Sequence, residues 1–377
     1  MRQRIYLDYN ATTPLDKRVL NAVVKELQNE AGNPSSIHYH GQQSRHILEE
    51  SRKTIADYLK VRHQEIIFTS GGTEGAFLLI NGVIRKETMG HLITSDAEHS
   101  AVYQTVKQLV EDGYEATFLP AGEWGAVKPE AIKAAIRPDT KLICLMAANN
   151  ETGVRTDIEG IAAIAQQTHI PFIVDAVGIL GKETFTIPPG VTAAFFSGHK
   201  VHAPKGVGFY FCRQSLKLKS IMVGGSQEFN KRPGTENLAG IVGLSEAIRI
   251  LSEGQSQFTR HMSHLKDKLE LGILSLGDVV INGTGPRIAN TTNLSFTGID
   301  GESLIMNLDK EGLSVSHGSA CTSGALEPSR VLINMGIPLK QARSAIRFSI
   351  GRTTTEAEID EAILIVRRVV EKMRHAK

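Results

Sequence analysis

Short apolar runs alternate along this chain with longer stretches whose apolar positions recur every three or four residues. Residues 65–69 (Glu65-Ile66-Ile67-Phe68-Thr69) read as a strand and 73–85 as a helix; 91–94 as a strand and 100–112 as a helix; 141–147 as a strand and 158–168 as a helix; 171–175 and 193–197 as two further strands. This strand–helix rhythm predicts an α/β domain on a mainly parallel sheet. In such sheets a ligand sits beyond the carboxyl ends of the strands. Gly71-Gly72-Thr73, His99, Asn150, Asp175 and Lys200 all fall at those ends.

The pattern changes after about Gly254. A helical stretch at 258–274, strands at 279–281 and 291–296, and helices near 303–309 and 355–372 describe a smaller α/β domain, with which the first dozen residues are expected to pack. The expected division is 15–255 for the large domain and 1–14 with 256–377 for the small one.

Bulk properties narrow the function. With 377 residues, 41% hydrophobic and 22% charged, the chain can bury a large core in two domains. A net charge of +2 gives no reason to expect a nucleic-acid or membrane partner. No apolar run approaches the roughly 18 residues that would span a bilayer, and no apolar segment follows the charged start Met1-Arg2-Gln3-Arg4, so secretion is not expected. Three cysteines make no disulfide framework, and a reducing cytoplasm is the expected setting. CxxC and HExxH spacings are absent, and no resident metal is expected.

Ser197-Gly198-His199-Lys200 follows the apolar run Ala193-Ala194-Phe195-Phe196, so Lys200 presents an amine at the end of a buried strand. Such an amine can form a Schiff base with a carbonyl cofactor. Thr69-Ser70-Gly71-Gly72-Thr73-Glu74 joins a strand to a helix, where free N–H groups suit a phosphate, or where a threonine simply caps a glycine-rich turn. Asp175 suits the pyridinium nitrogen of pyridoxal phosphate, or a turn. His99 suits ring stacking and proton movement, or a structural role. Asn150 suits a phenolic oxygen, or a turn in 149–153. Arg347, in the alternating run 345–350, suits a substrate carboxylate or a surface ion pair. Cys144 and Cys212 lie in apolar runs and suit core packing, whereas Cys321 lies in the small, polar stretch 314–325, an expected mobile loop, and is the candidate nucleophile.

Together these segments resemble the cysteine desulfurases of the NifS/IscS type, enzymes of the class V aminotransferase fold. The resemblance rests on Tyr6-Leu7-Asp8-Tyr9-Asn10-Ala11-Thr12-Thr13-Pro14, Gly32-Asn33-Pro34-Ser35-Ser36, Asn149-Asn150-Glu151, Arg232-Pro233-Gly234-Thr235-Glu236-Asn237, Gly318-Ser319-Ala320-Cys321-Thr322-Ser323 and Ile346-Arg347-Phe348-Ser349, with the lysine and glycine motifs above, in the family's order over nearly the whole chain. It implies an aminotransferase-like fold of type I, with a mainly parallel seven-stranded sheet and a smaller domain carrying a mobile cysteine loop at about 316–327.

The resemblance further implies that Lys200 holds pyridoxal 5'-phosphate and that Gly72, Thr73, Ser197 and His199 bind its phosphate. Asp175 would pair with the ring nitrogen, His99 would stack and act in catalysis, and Asn150 would sit near the phenolic oxygen. Thr235 would reach the phosphate of a second subunit, which implies a homodimer. Asn33 and Arg347 would hold the carboxylate of L-cysteine. Cys321 would take the substrate's sulfur as a persulfide, leaving L-alanine, and pass it to an acceptor protein, scaffold or carrier, for iron–sulfur clusters or another sulfur-containing cofactor or tRNA. The same thiol is a candidate transient iron–sulfur ligand.

The chain departs from the family where Gly178 stands for the usual glutamine, at Gly75-Ala76-Phe77, at Ala203 and in the run 224–228. It also ends at Lys377, without the longer tail expected to dock a scaffold. Two other readings stand beside the desulfurase. One is a selenocysteine lyase, cysteine-sulfinate desulfinase or related aminotransferase; the other is a weakly active relative that acts as a binding partner in sulfur delivery.

Overall fold

A computed structural model describes residues 4–29, 32–86, 89–317 and 328–375. Its strands are β1 (Ile5–Tyr6), β2 (Ile66–Thr69), β3 (His91–Ser95), β4 (Glu115–Leu119), β5 (Thr140–Met146), β6 (Phe172–Asp175), β7 (Ala193–Ser197), β8 (Gly208–Cys212), β9 (Val279–Ile281), β10 (Thr291–Phe296), β11 (Leu313–Ser314) and β12 (Ala345–Ser349). Seven of them form one sheet in the order β2-β8-β7-β6-β5-β3-β4. Only β8 runs against its neighbours, pairing antiparallel with both β7 and β2. The α/β class and the seven-stranded, mainly parallel sheet therefore agree with the sequence.

Helices cover both faces of this sheet, which is why its strands read as unbroken apolar runs. On one face pack the helices Tyr39–Leu59 and Ile158–Thr168 and the first half of Leu238–Leu274. On the other pack Gly72–Ile84 and Ser100–Glu111. Caps set where the helices begin: Asp157 Oδ1 accepts from Gly160 N at 2.9 Å, and His99 Nδ1 accepts from Ala101 N at 3.1 Å.

A second core forms on the antiparallel sheet β12-β10-β9. Met262, Leu265, Leu269 and Ile273 from the second half of Leu238–Leu274 enter it, as do Ile359, Val366 and Val370 of the helix Glu356–His375. Ile5 and Leu7 also enter it, and β1 pairs in parallel with β11. The chain then crosses to the large sheet, where Thr13 N donates to His199 O at 2.9 Å.

The helix expected at 258–274 is in fact 37 residues long, Leu238–Leu274. Gly254, where the sequence pattern changes, lies inside this continuous rod between the two cores. Strands β4 and β8 and the helices Lys17–Leu27, Tyr39–Leu59 and Pro129–Ala135 were not expected.

Candidate active site at the carboxyl edge of the large sheet

A cavity of about 190 Å³ opens where the parallel strands end. Asp175 is the last residue of β6 and Ser197 the last of β7, while His99 and Asn150 follow β3 and β5 by one short turn. The cavity brings together nearly every site residue named from the sequence: Gly72 and Thr73, His99 and Asn150, Asp175 and Ser197, His199 and Lys200, and Arg347. Asn33 and Thr235 do not line it; both are exposed, and Asn33 Oδ1 caps its own turn by accepting from Ser35 N at 2.9 Å. Within this chain, then, Asn33 does not reach the cavity. Cys321 lies outside the described residues. At the start of the expected stretch 316–327, Ser316 pairs with Arg347 through backbone bonds of 3.2 and 2.8 Å and His317 Nδ1 bonds Ala345 O at 2.6 Å; the rest of it lies outside the described residues.

Lys200 ends the short turn Gly198–Lys200, and its Nζ donates to Asn10 O at 2.5 Å and Ala11 O at 2.9 Å. Asp175 is 5% exposed, and its Oδ1 accepts from Val177 N at 2.9 Å. Burial pushes its carboxyl up to about 6, against which the Val177 bond and the Lys200 charge pull. His99 is pushed down to about 4 by burial and by the Lys200 charge, so its ring is neutral. Because Nδ1 accepts from Ala101, the ring proton belongs on Nε2.

Asn149, not Asn150, holds the turn. Asn149 Oδ1 accepts from Glu151 N at 2.9 Å and Thr152 N at 3.0 Å, closing the turn. Gly153 completes it at φ 78°, where a Cβ would lie 2.9 Å from that of Thr291. Asn150 is thereby brought to the cavity wall, where its carbonyl accepts from Asn10 Nδ2 at 3.0 Å and from Arg347 Nη1 at 3.1 Å.

Arg347 is 1% exposed and no surface residue; its Nη2 meets Asp8 Oδ1 at 2.7 Å. Its Nε is buried with no hydrogen-bond partner among the described residues, leaving a donor for an anion. At the other end, the first turn of the helix Gly72–Ile84, whose N–H groups lack intrahelical acceptors, borders a cleft shared with Ser197 and His199. A Cβ on Gly72 would come within 2.9 Å of Val177 Cγ2, so close approach fixes glycine there. His199 is pushed down to about 4 by burial, then by Lys200.

The cavity also contains residues to which the sequence assigned no role. Asn10 and Lys182 line it. Glu98, fully buried behind it, accepts from Met146 N at 3.1 Å through Oε1, and its Oε2 is unpartnered among the described residues. Desolvation holds the Glu98 carboxyl well above its usual range. Asn10 stood within a matching segment without a function, while Lys182 and Glu98 follow no periodicity that marks them. No group of His, Cys, Asp and Glu among the described residues has the makings of a metal site.

Comparison with known proteins agrees with this layout. The aminotransferase class-V family profile matches residues 5–362. A cysteine desulfurase IscS of Dictyoglomus turgidum is 41% identical over 99% of this chain and 96% of its own length. Cysteine desulfurase 2 of Trichormus variabilis is 40% identical over 98% of this chain and 94% of its own. A solved NifS-like protein superposes with a TM-score of 0.91 at 33% identity, covering 98% of this chain and all of that one.

Proposed function

The chain belongs to the aminotransferase class-V family, and from that premise we propose that it is a cysteine desulfurase, converting L-cysteine to L-alanine and taking the sulfur on Cys321. One observation carries the proposal: a single cavity is lined by the Lys200 amine, the buried Asp175 carboxyl and Arg347, whose Nε is partnerless among the described residues.

The residues present fit pyridoxal 5'-phosphate. Asp175 is a buried carboxyl with no cation paired against it closely enough to hold its pKa down, and a protonated ring nitrogen would supply one. The first turn of Gly72–Ile84, with Ser197 and His199, would hold the phosphate, Lys200 the aldehyde carbon and Asn150 the phenolic oxygen. When bound, the cofactor supplies an electron sink for carbanion chemistry.

The chain's own groups do the rest. Arg347 Nε binds the carboxylate of cysteine and fixes which bond faces Lys200. Lys200 Nζ takes and returns the α-proton. His99, neutral with its proton on Nε2, is ready to donate to the carbon that keeps the electron pair when the C–S bond breaks. The Cys321 thiolate attacks the substrate's sulfur: an S–S bond forms, the C–S bond breaks, and the electron pair stays with carbon, which is protonated to give alanine. Cys144 and Cys212 are poor alternatives, because burial pushes the first thiol far up and the second to about 11. The sulfur then passes to an acceptor protein for iron–sulfur clusters or other sulfur-containing products.

A homodimer gives Thr235 its role, since this exposed residue lies off its own cavity while an open cleft beside Ser70, Thr73 and Lys205 borders the phosphate end. Among the described residues no helix is long and apolar enough to cross a membrane, and a cytoplasmic enzyme is proposed. The test is reconstitution with pyridoxal phosphate. The wild type gains a visible absorption band and releases alanine from cysteine, and Lys200→Ala does neither. An unchanged band in Lys200→Ala, or no alanine from the wild type, contradicts the proposal.

A further inference from the structure

Lys182 is a second amine in the cavity wall, and the proposed chemistry does not use it. It is 5% exposed and makes no ion pair among the described residues. A lysine buried without a carboxylate is costly, so its surroundings need to explain its presence. The turn after β6 delivers it. Gly181, at φ 77°, turns the chain with Val201 Cγ1 only 3.2 Å from where a Cβ would be. Lys182 N then donates to Ile179 O at 3.0 Å, and Lys182 O accepts from Thr259 Oγ1 of the long helix at 3.0 Å.

The side chain so anchored ends on Lys200: Lys182 Nζ donates to Lys200 O at 2.6 Å. The other carbonyls of the Gly198–Lys200 turn are also engaged. Gly198 O accepts from Val201 N at 2.9 Å and Ala203 N at 3.1 Å, and His199 O from Thr13 N and Oγ1, each at 2.9 Å. Those partners are local backbone or a residue threaded past the turn. Lys182 is the charged group that grips the catalytic lysine's own peptide.

We propose that Lys182 is a positioning residue for Lys200: by holding the Lys200 carbonyl it fixes the Gly198–Lys200 turn, and with it the reach of the Lys200 amine into the cavity. Two cations this close would repel, and burial relieves the conflict by pushing Lys182 down to about 7, with the Lys200 charge adding to the shift. Charged or neutral, an amine still has N–H groups to donate, so the grip survives its titration.

The inference rests on Lys200 being the cofactor lysine. The experiment uses the full chain without cofactor, mixed with pyridoxal phosphate and borohydride, and follows label on the Lys200 peptide by mass over time. Lys182→Met should label Lys200 about tenfold more slowly, and after reconstitution kcat should fall about tenfold or more with KM for cysteine unchanged, since displacement of a reacting group by about 1 Å carries costs of this order. Lys182→Arg, which restores a cationic donor, should recover much of both. Lys182→Leu repeats the test should the Met variant not fold. A Lys182→Met or Lys182→Leu protein that labels Lys200 at the wild-type rate overturns the inference, even if its melting temperature is lower. Failure of the wild type itself to label at Lys200 overturns the reading of Lys200 and this inference with it.

Discussion

Among the described residues two arginines are buried almost completely, Arg52 at 2% and Arg347 at 1% exposure, and they are partnered differently. Arg52 grips Glu228 with two bonds of 2.8 Å, donates to Ile66 O at 2.7 Å and reaches Glu49 through Nε at 3.2 Å. Its guanidinium also lies 4.9 Å from the Phe68 ring centroid and 5.0 Å from that of Phe229. Arg347 meets Asp8 and one carbonyl, and its Nε meets nothing among the described residues. Burial alone therefore does not mark function. The saturated arginine is structural, and the incompletely partnered one, in a cavity wall, is the one proposed to bind substrate.

What Arg52 supports is a strained turn. Glu228, Phe229 and Asn230 take φ values of 48°, 56° and 62° in succession. Each non-glycine residue there costs roughly 1–2 kcal/mol, and the buried Glu228 anchors the turn through Arg52 and through Phe68 N at 2.7 Å. Removing Arg52 strands a buried carboxylate. Arg52→Met should therefore lose about 3–5 kcal/mol of unfolding free energy, read as a lower urea midpoint at unchanged slope; a loss below about 1 kcal/mol would erase the contrast.

Arg347→Lys should divide its effect the other way. It keeps the charge beside Asp8 but replaces a fork with a point charge. KM for cysteine should rise about 10- to 100-fold, each tenfold step being about 1.4 kcal/mol of binding, while the urea midpoint moves less than in Arg52→Met. An unchanged KM would remove Arg347 from the substrate site.

Asp175→Asn sharpens the same distinction at the other end of the cavity. The Asp175 carboxyl, usually near 3.8, is raised to about 6 in the fold. Between those values the folded chain binds more protons than the unfolded one, so stability falls as pH rises through that window. The cofactor-free Asp175→Asn protein should be more stable than the wild type at pH 7 by up to about 3 kcal/mol, with the gap closing below about pH 4, while its desulfurase activity drops. Thermal unfolding of both proteins at pH 4 and pH 7 tests the sign. A wild type that gains stability relative to Asn as pH rises would contradict it.

The smallest effect belongs to Arg249, half exposed and paired with Glu246 and Glu253 along one helix. Arg249→Ala should change unfolding by less than about 1 kcal/mol, because water already screens the pair. A larger loss would show that exposure is no guide to which arginines matter.

The parallel strands and their helices were legible because both faces of the sheet are covered, which forces apolar runs such as Phe172-Ile173-Val174. Strand β4 was missed because it lies at the sheet edge and stays partly exposed as Glu115-Ala116-Thr117-Phe118-Leu119. The first half of the helix Leu238–Leu274 was missed because its glycines look like a break. Gly243 is instead a contact, with Val23 Cγ2 2.6 Å from where a Cβ would be. In the site, residues at strand ends could be read from position alone. Lys182, Glu98 and Asn10 could not, because a buried polar side chain is defined by distant partners: Lys182 by Lys200 O, and Asn10 by Asn150 O and Thr291 Oγ1.

Peptide mass mapping after brief exposure of the reconstituted protein to L-cysteine tests sulfur transfer most directly. One added sulfur on the Cys321 peptide, matched by released alanine and absent from the buried Cys144 and Cys212, is the expected result. Sulfur on Cys144 or Cys212, or alanine released from cysteine with Cys321 replaced by serine, would contradict it.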